Sequence, residues 1–244
     1  MSASLTIFKR EFASFFVTPV AYIFVHIFLL MSGIFTFLFG GFFERGQADL
    51  ISFFDFHPWL YLFLVPAIAM RTWSEERKNG SIELLMTLPI TTMQIMLGKF
   101  FAAWAILGLC LLLTFPLWVT VNYLGNPDNG IILAAYMGSW LMSGAFLAVG
   151  ICMSATTKNQ VIAFILALVI CFAFVLAGSP VIINMFQSWA PNMLIDAIAA
   201  LSFLSHFQNI AKGVITLNDV MFYCMSIAVW LYVAYVIIEQ KKAD

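Results

Sequence analysis

Long apolar stretches free of Asp, Glu, Lys and Arg alternate with short polar clusters along the 244-residue chain. The first such stretch covers residues 12–43. A helix needs about 20 mainly apolar residues to cross a bilayer. On that measure the pattern predicts an all-α integral membrane protein with six transmembrane helices. They fall near residues 20–41, 56–70, 100–123, 131–154, 161–186 and 220–238. The second is the shortest and contains Pro66. Asn126-Pro127-Asp128-Asn129-Gly130 forms a turn cluster between spans three and four, and Ala155-Thr156-Thr157-Lys158-Asn159 does so between four and five.

Three stretches break the simple alternation. In residues 1–17, Leu5, Phe8, Phe12, Phe15 and Phe16 share one face at about 100° per residue, whereas Arg10, Glu11 and Ser14 lie opposite with Lys9 at the border. This predicts an amphipathic helix in the membrane interface, with Phe8 and Phe12 toward lipid and Lys9 and Arg10 at its polar edge. Pro19 marks its end. Residues 73–92 are the only densely charged segment. Residues 187–218 are apolar but interrupted by Pro191, Asp196, His206 and Lys212. They predict short helices re-entering the outer leaflet before the last span, with a seventh span as the alternative.

Composition makes the bilayer obligatory. Hydrophobic residues make up 63% of the chain and charged residues 9%, against roughly 25% charged in a soluble domain. The net charge of −1 gives no field for nucleic acid. The distribution of cations is informative. Six spans put Lys9, Arg10, Arg71, Arg77, Lys78, Lys99, Lys158, Lys241 and Lys242 on one side, and only Arg45 and Lys212 on the other. Basic loops stay in the cytoplasm, so both termini are expected there.

Candidate chemistry is sparse. Cys110, Cys152, Cys171 and Cys224 all lie in apolar runs, without a CxxC pair, and read as buried structural thiols. His26 sits inside the first span and is expected to bond neighbouring backbone. His57 reads as a cap or interface residue, and His206 belongs to the outer segment. The three have no metal-ligand spacing. Trp59, Tyr61, Trp73, Tyr123 and Trp189 read as interface anchors. Small-xxx-small pairs such as Ala134/Gly138 and Gly144/Ala148 allow close helix approach, more within the chain than between copies. The spans carry no carboxylates of the kind that couple transport to protons or sodium. No GxxxxGK[ST] occurs, so no ATP cofactor is expected on this chain and any nucleotide must be held in trans.

The charged segment has a readable grammar. Span two continues as a charged helix to Lys78, and Asn79-Gly80 stops it through a left-handed cap. Ser81 caps a second short helix with Glu83 near its positive end. Leu84, Leu85 and Leu88 make an apolar stripe, and Pro89 ends it. Thr91 and Gln94 form a capping box that starts span three. A short rigid helix across the mouth of two spans suits docking to another protein, with an ordinary solvated loop of helical character as the alternative.

Glu75, Glu76, Arg77, Gly80, Ser81, Glu83, Leu84, Leu85, Thr87 and Pro89 together resemble the conserved string of ABC-2 type transporter permeases. Leu97-Gly98-Lys99 and Lys9-Arg10-Glu11 are similar to that family as well, and the compact gliding-motility-associated permeases are the nearest likeness within it. The resemblance implies a non-catalytic membrane subunit whose coupling helix, residues 73–92, rests on a separate ATPase. It implies two ATPase subunits, which bind ATP and Mg, and a second permease copy or close relative. The apolar spans suggest export of an amphiphilic or polymeric cargo. The alternative is a channel or scaffold that recruits a cytoplasmic partner without ATP-driven transport.

Overall fold

Helix follows helix in the computed structural model, which describes residues 3–82, 89–187 and 191–241. In chain order they are α1 (Ala3–Val17), α2 (Val20–Ile34, running into a π turn, Phe35–Phe39), α3 (Ile51–Asp55), α4 (His57–Ala69) and α5 (Arg71–Asn79). Then come α6 (Thr92–Leu113), α7 (Phe115–Leu124), α8 (Asn129–Thr156), α9 (Gln160–Leu176), α10 (Pro180–Gln187), α11 (Asn192–Ala199), α12 (Phe203–Ala211) and α13 (Leu217–Gln240). No strand occurs among the described residues. Polar side chains start several of the helices. The capping box expected at Thr91 and Gln94 opens α6. Asp128 accepts from the N–H groups of Gly130 and Ile131, Asn159 from that of Val161, and Thr216 from that of Asp219.

The central element is α8, with every residue from Met142 to Ala155 buried. It touches α4, α5, α6, α9, α12 and α13. Its glycines permit this crowding. A Cβ on Gly138 would lie 2.7 Å from Ile210, and one on Gly150 would lie 2.4 Å from Ala69. These small residues therefore serve packing within the chain. Outward faces carry exposed apolar groups such as Leu30, Leu38, Leu112 and Val229, which need lipid rather than water.

Among the described residues, four helical stretches are long and apolar enough to cross a membrane: residues 20–39, 92–124, 129–156 and 217–240. The count becomes five if α11 and α12, bent by 61° to each other, form one span. This is fewer than the six expected. Helix α4 has only 13 residues and α9 only 17. The fifth predicted span ends early because Gly178 lies against Ser202 and Ser205, and Pro180 disfavours helix in the residue before it. The third bends at Thr114, just before Pro116.

Several single residues differ from the sequence reading. Tyr61 and Trp73 are fully buried rather than interface anchors. His57 is buried too, stacked on Tyr61 and edge-on to Phe53 and Phe54, and it shares a hydrogen bond with Ser139 at 2.9 Å. Cys110, Cys152 and Cys171 are buried, but Cys224 lies on an exposed face of α13. His26 bonds the Tyr22 carbonyl at 2.7 Å, one turn back, as expected. His206 bridges α12 to the start of α13, with Nδ1 2.5 Å from Asp219 and Nε2 3.0 Å from the Ala200 carbonyl. Trp189 and Lys242 lie outside the described residues.

Candidate functional site

Helix α5 continues α4 past Met70, which keeps right-handed helical dihedrals. The joint has a specific cause. Ser154 of α8 inserts its hydroxyl there, accepting from the N–H groups of Trp73 (3.0 Å) and Ser74 (3.1 Å) and donating to the Met70 carbonyl (2.8 Å). A side chain entering the backbone ladder in this way bends a helix while leaving no group unsatisfied. Ser154, Trp73 and Ser74 are all fully buried.

Beyond the joint, the charges of α5 turn in different directions. Glu75 takes a two-pronged bond from Arg71, at 2.9 and 3.2 Å. The Arg71 guanidinium holds its carboxyl below the usual range. Glu76 turns inward and accepts from Lys99 of α6 at 2.7 Å. Lys99 is 5% exposed and lies 3.5 Å from Glu11 of α1, which also pairs with Arg10 at 2.6 Å. The Lys99 ammonium sits 5.5 Å from the centre of the Trp73 ring. One buried cation thus ties together α1, α5 and α6. A small cleft of about 240 Å³ opens beside it, between Ser14, Thr18, Arg71 and Glu75. Among the described residues, Oε2 of Glu76 and Nε1 of Trp73 are buried without a hydrogen-bond partner.

The end of α8 is held from two sides. Its last carbonyls have no helical partners. Arg77 donates to the Ala155 carbonyl at 2.7 Å, and Lys241, just past α13, donates to that of Thr156. Cations there also complement the helix dipole. Burial and the nearby Arg77 keep Lys241 below the usual lysine range. Thr92 donates to Glu239 and fastens α6 to α13. Five helices, α1, α5, α6, α8 and α13, therefore converge around the end of α8.

Gly80 ends α5 at φ +70°, a conformation natural to glycine, and Ser81 donates back to the Glu76 carbonyl at 3.3 Å. Pro89 is exposed. Glu83, Leu84, Leu85 and Thr87 lie outside the described residues, so the helix expected there is not described. On α1, Phe8 and Phe12 stack at 5.7 Å and are half-buried, whereas Lys9 and Arg10 are exposed. The buried side of α1 carries Ile7, which fills the space over Gly98. Glu11, expected on the exposed polar face, instead faces Lys99 because an apolar helix supplies a buried cation that needs it.

The sequence reading missed Lys99, Glu11, Ser154 and Lys241 as members of this site. Lys99 carried a usable signal: a lone cation one turn or more inside an apolar helix requires an acidic partner. Among the described residues no group of His, Cys, Asp and Glu could hold a metal ion. A family model described as ABC-2 family transporter protein matches residues 5–243. A search of curated proteins finds no match.

Proposed function

The chain belongs to the ABC-2 family of transporter proteins, and from that premise we propose that it is the permease half of an ATP-driven exporter, moved by separate ATPases docked at residues 73–92. Membership of the family makes it a multi-pass membrane component of a transporter. The finer reading has two permeases, identical or closely related, and two ATPase subunits that bind ATP and Mg. Six spans place both termini in the cytoplasm of a bacterial inner membrane. Helices α4 and α9 complete the six as short crossings, and α11 with α12 form the re-entrant pair. Helix α1 lies in the cytoplasmic interface against lipid. The cargo is amphiphilic or polymeric.

The observation that carries this reading is the Glu11–Lys99–Glu76 cluster at the root of the segment. It joins α5, which leads directly into the docking segment, to α1 and α6. A push on residues 81–88 therefore reaches α5 and, through the cluster, two further helices. Glu75 is held by Arg71, Arg77 is anchored to the end of α8, and Gly80 ends α5.

The test is purification of the tagged chain from its native membrane in mild detergent, with identification of what accompanies it, repeated with Glu83→Lys. A soluble P-loop ATPase that accompanies the unaltered chain and is lost from the variant supports both class and docking site. An ATPase retained equally by both moves the docking site elsewhere. None, even after crosslinking, favours a channel or scaffold.

A further inference from the structure

At the opposite end of the bundle from the termini, a cleft of about 520 Å³ opens between α3, the start of α8, and α12. That volume is typical of sites for small organic molecules, about 300–1,000 Å³. Its walls are apolar, built from Phe54, Pro58, Ile131, Ile132, Leu204 and Phe207. The walls are fixed by close approaches. A Cβ on Gly125 would lie 2.6 Å from Ala48, and one on Gly213 would lie 2.8 Å from Ile131. The two loops and the end of α12 thus have no slack against one another.

The rim is acidic: Asp49, Asp55 and Asp128 against the single cation Lys212. Two of the carboxylates are already used. Asp49 faces Arg45 at 3.4 Å, and Asp128 caps α8. Asp55 is exposed at the rim and makes no hydrogen bond or ion pair among the described residues, with Arg45 and Lys212 acting on it only at longer range. An exposed carboxylate without a hydrogen bond or ion pair, at the rim of an apolar cleft, is complementary to a positive head on an apolar tail.

We propose that this cleft binds an amphiphile headed by a protonated amine, with the ammonium at Asp55 and the chain against Phe54, Ile131 and Phe207. The proposal does not depend on the ATPase reading, and its test uses the chain alone. The purified chain in phosphatidylcholine nanodiscs is irradiated with dodecylamine carrying a diazirine in its tail, and the labelled residues are mapped by mass spectrometry. Labelling is expected within residues 49–58, 127–135 and 204–212, and unlabelled dodecylamine should compete whereas dodecanol should not. Asp55→Asn, which breaks no hydrogen bond, should weaken the competition about tenfold, and Leu204→Trp should abolish labelling by filling the cleft. Competition by added phosphatidylethanolamine would identify a membrane aminolipid as the source of the head group. Competition by the free amine alone would identify a soluble cationic amphiphile. Equal competition by dodecanol, unchanged binding in Asp55→Asn, or labels spread over the lipid-facing residues 20–39 would each overturn the proposal.

Discussion

Replacing Lys99 by methionine tests the buried cluster at its centre. Methionine keeps most of the side-chain volume and removes only the charge. Glu76 and Glu11, at 17% and 19% side-chain exposure, would then lose their shared cation. Removing one partner of a buried ion pair costs about 3–5 kcal/mol. The lower end applies here, since Arg10 still bonds Glu11 and both carboxylates keep some access to water. For a chain of this size, 1 kcal/mol moves the unfolding midpoint by about 2–4 °C. Lys99→Met should therefore unfold about 6–12 °C lower in a detergent thermal scan. The double variant Lys99→Met/Glu76→Met should recover most of that loss, because an apolar pair of similar volume is nearly neutral in place of a buried ion pair. A single variant that melts within 2 °C of the parent would refute the reasoning. So would a double variant no better than the single one, because the cost would then come from packing and not from uncompensated charge.

Other variants probe neighbouring links. Ser154→Ala strands the N–H groups of Trp73 and Ser74 at the α4–α5 joint and should cost about 2 kcal/mol, read in the same thermal scan. Gly80→Val forces a branched residue to φ +70° with no steric neighbour, so the backbone alone should cost about 1–2 kcal/mol. Membrane insertion, measured by fractionation, should stay intact while ATP hydrolysis separates from transport. His206→Ala removes a partner of Asp219, which is 2% exposed, and should destabilise by about 2–3 kcal/mol; His206→Asn, which retains a donor, should recover part of it. The Arg71–Glu75 pair lowers the Glu75 carboxyl from its ordinary 4.5. Its stabilisation is thus present above that pH and fades as the pH falls through the lowered value. Because both side chains are 38% exposed, Arg71→Gln should remove under about 1 kcal/mol at pH 7 and flatten the acid limb of a stability titration.

The membrane character of the chain was legible because charge-free runs are long and their polar breaks are sharp. Helix starts were legible where a short polar side chain precedes an apolar run, as at Thr91. The length of the fifth apolar helix was not, because hydropathy does not sense where a helix stops, here at Leu176 ahead of Gly178 and Pro180. Burial of aromatic residues was misjudged for a related reason. Tyr61 near a span end has the composition of an anchor, yet Ser139, 78 residues away, takes its hydroxyl at 2.7 Å. The charged segment was visible as a string, but the partners of its glutamates were not. Glu75 and Glu76 are adjacent in sequence, and the helix points one to Arg71 four residues away and the other to Lys99 on a different element.

The joint at Met70 has a mechanical reading. A Cβ on Gly150 would lie 2.4 Å from Ala69, so α4 and α8 approach closely one turn before Ser154 bonds the joint. That point is a fulcrum. On one side lies α4, 13 residues or about 20 Å, and on the other α5, 9 residues or about 13 Å. A lever with these arms turns a 2 Å displacement at Gly80 into about 3 Å at His57, in the opposite direction. Small movements at the Gly80 end would thus arrive at the His57 end enlarged by half and reversed in sign.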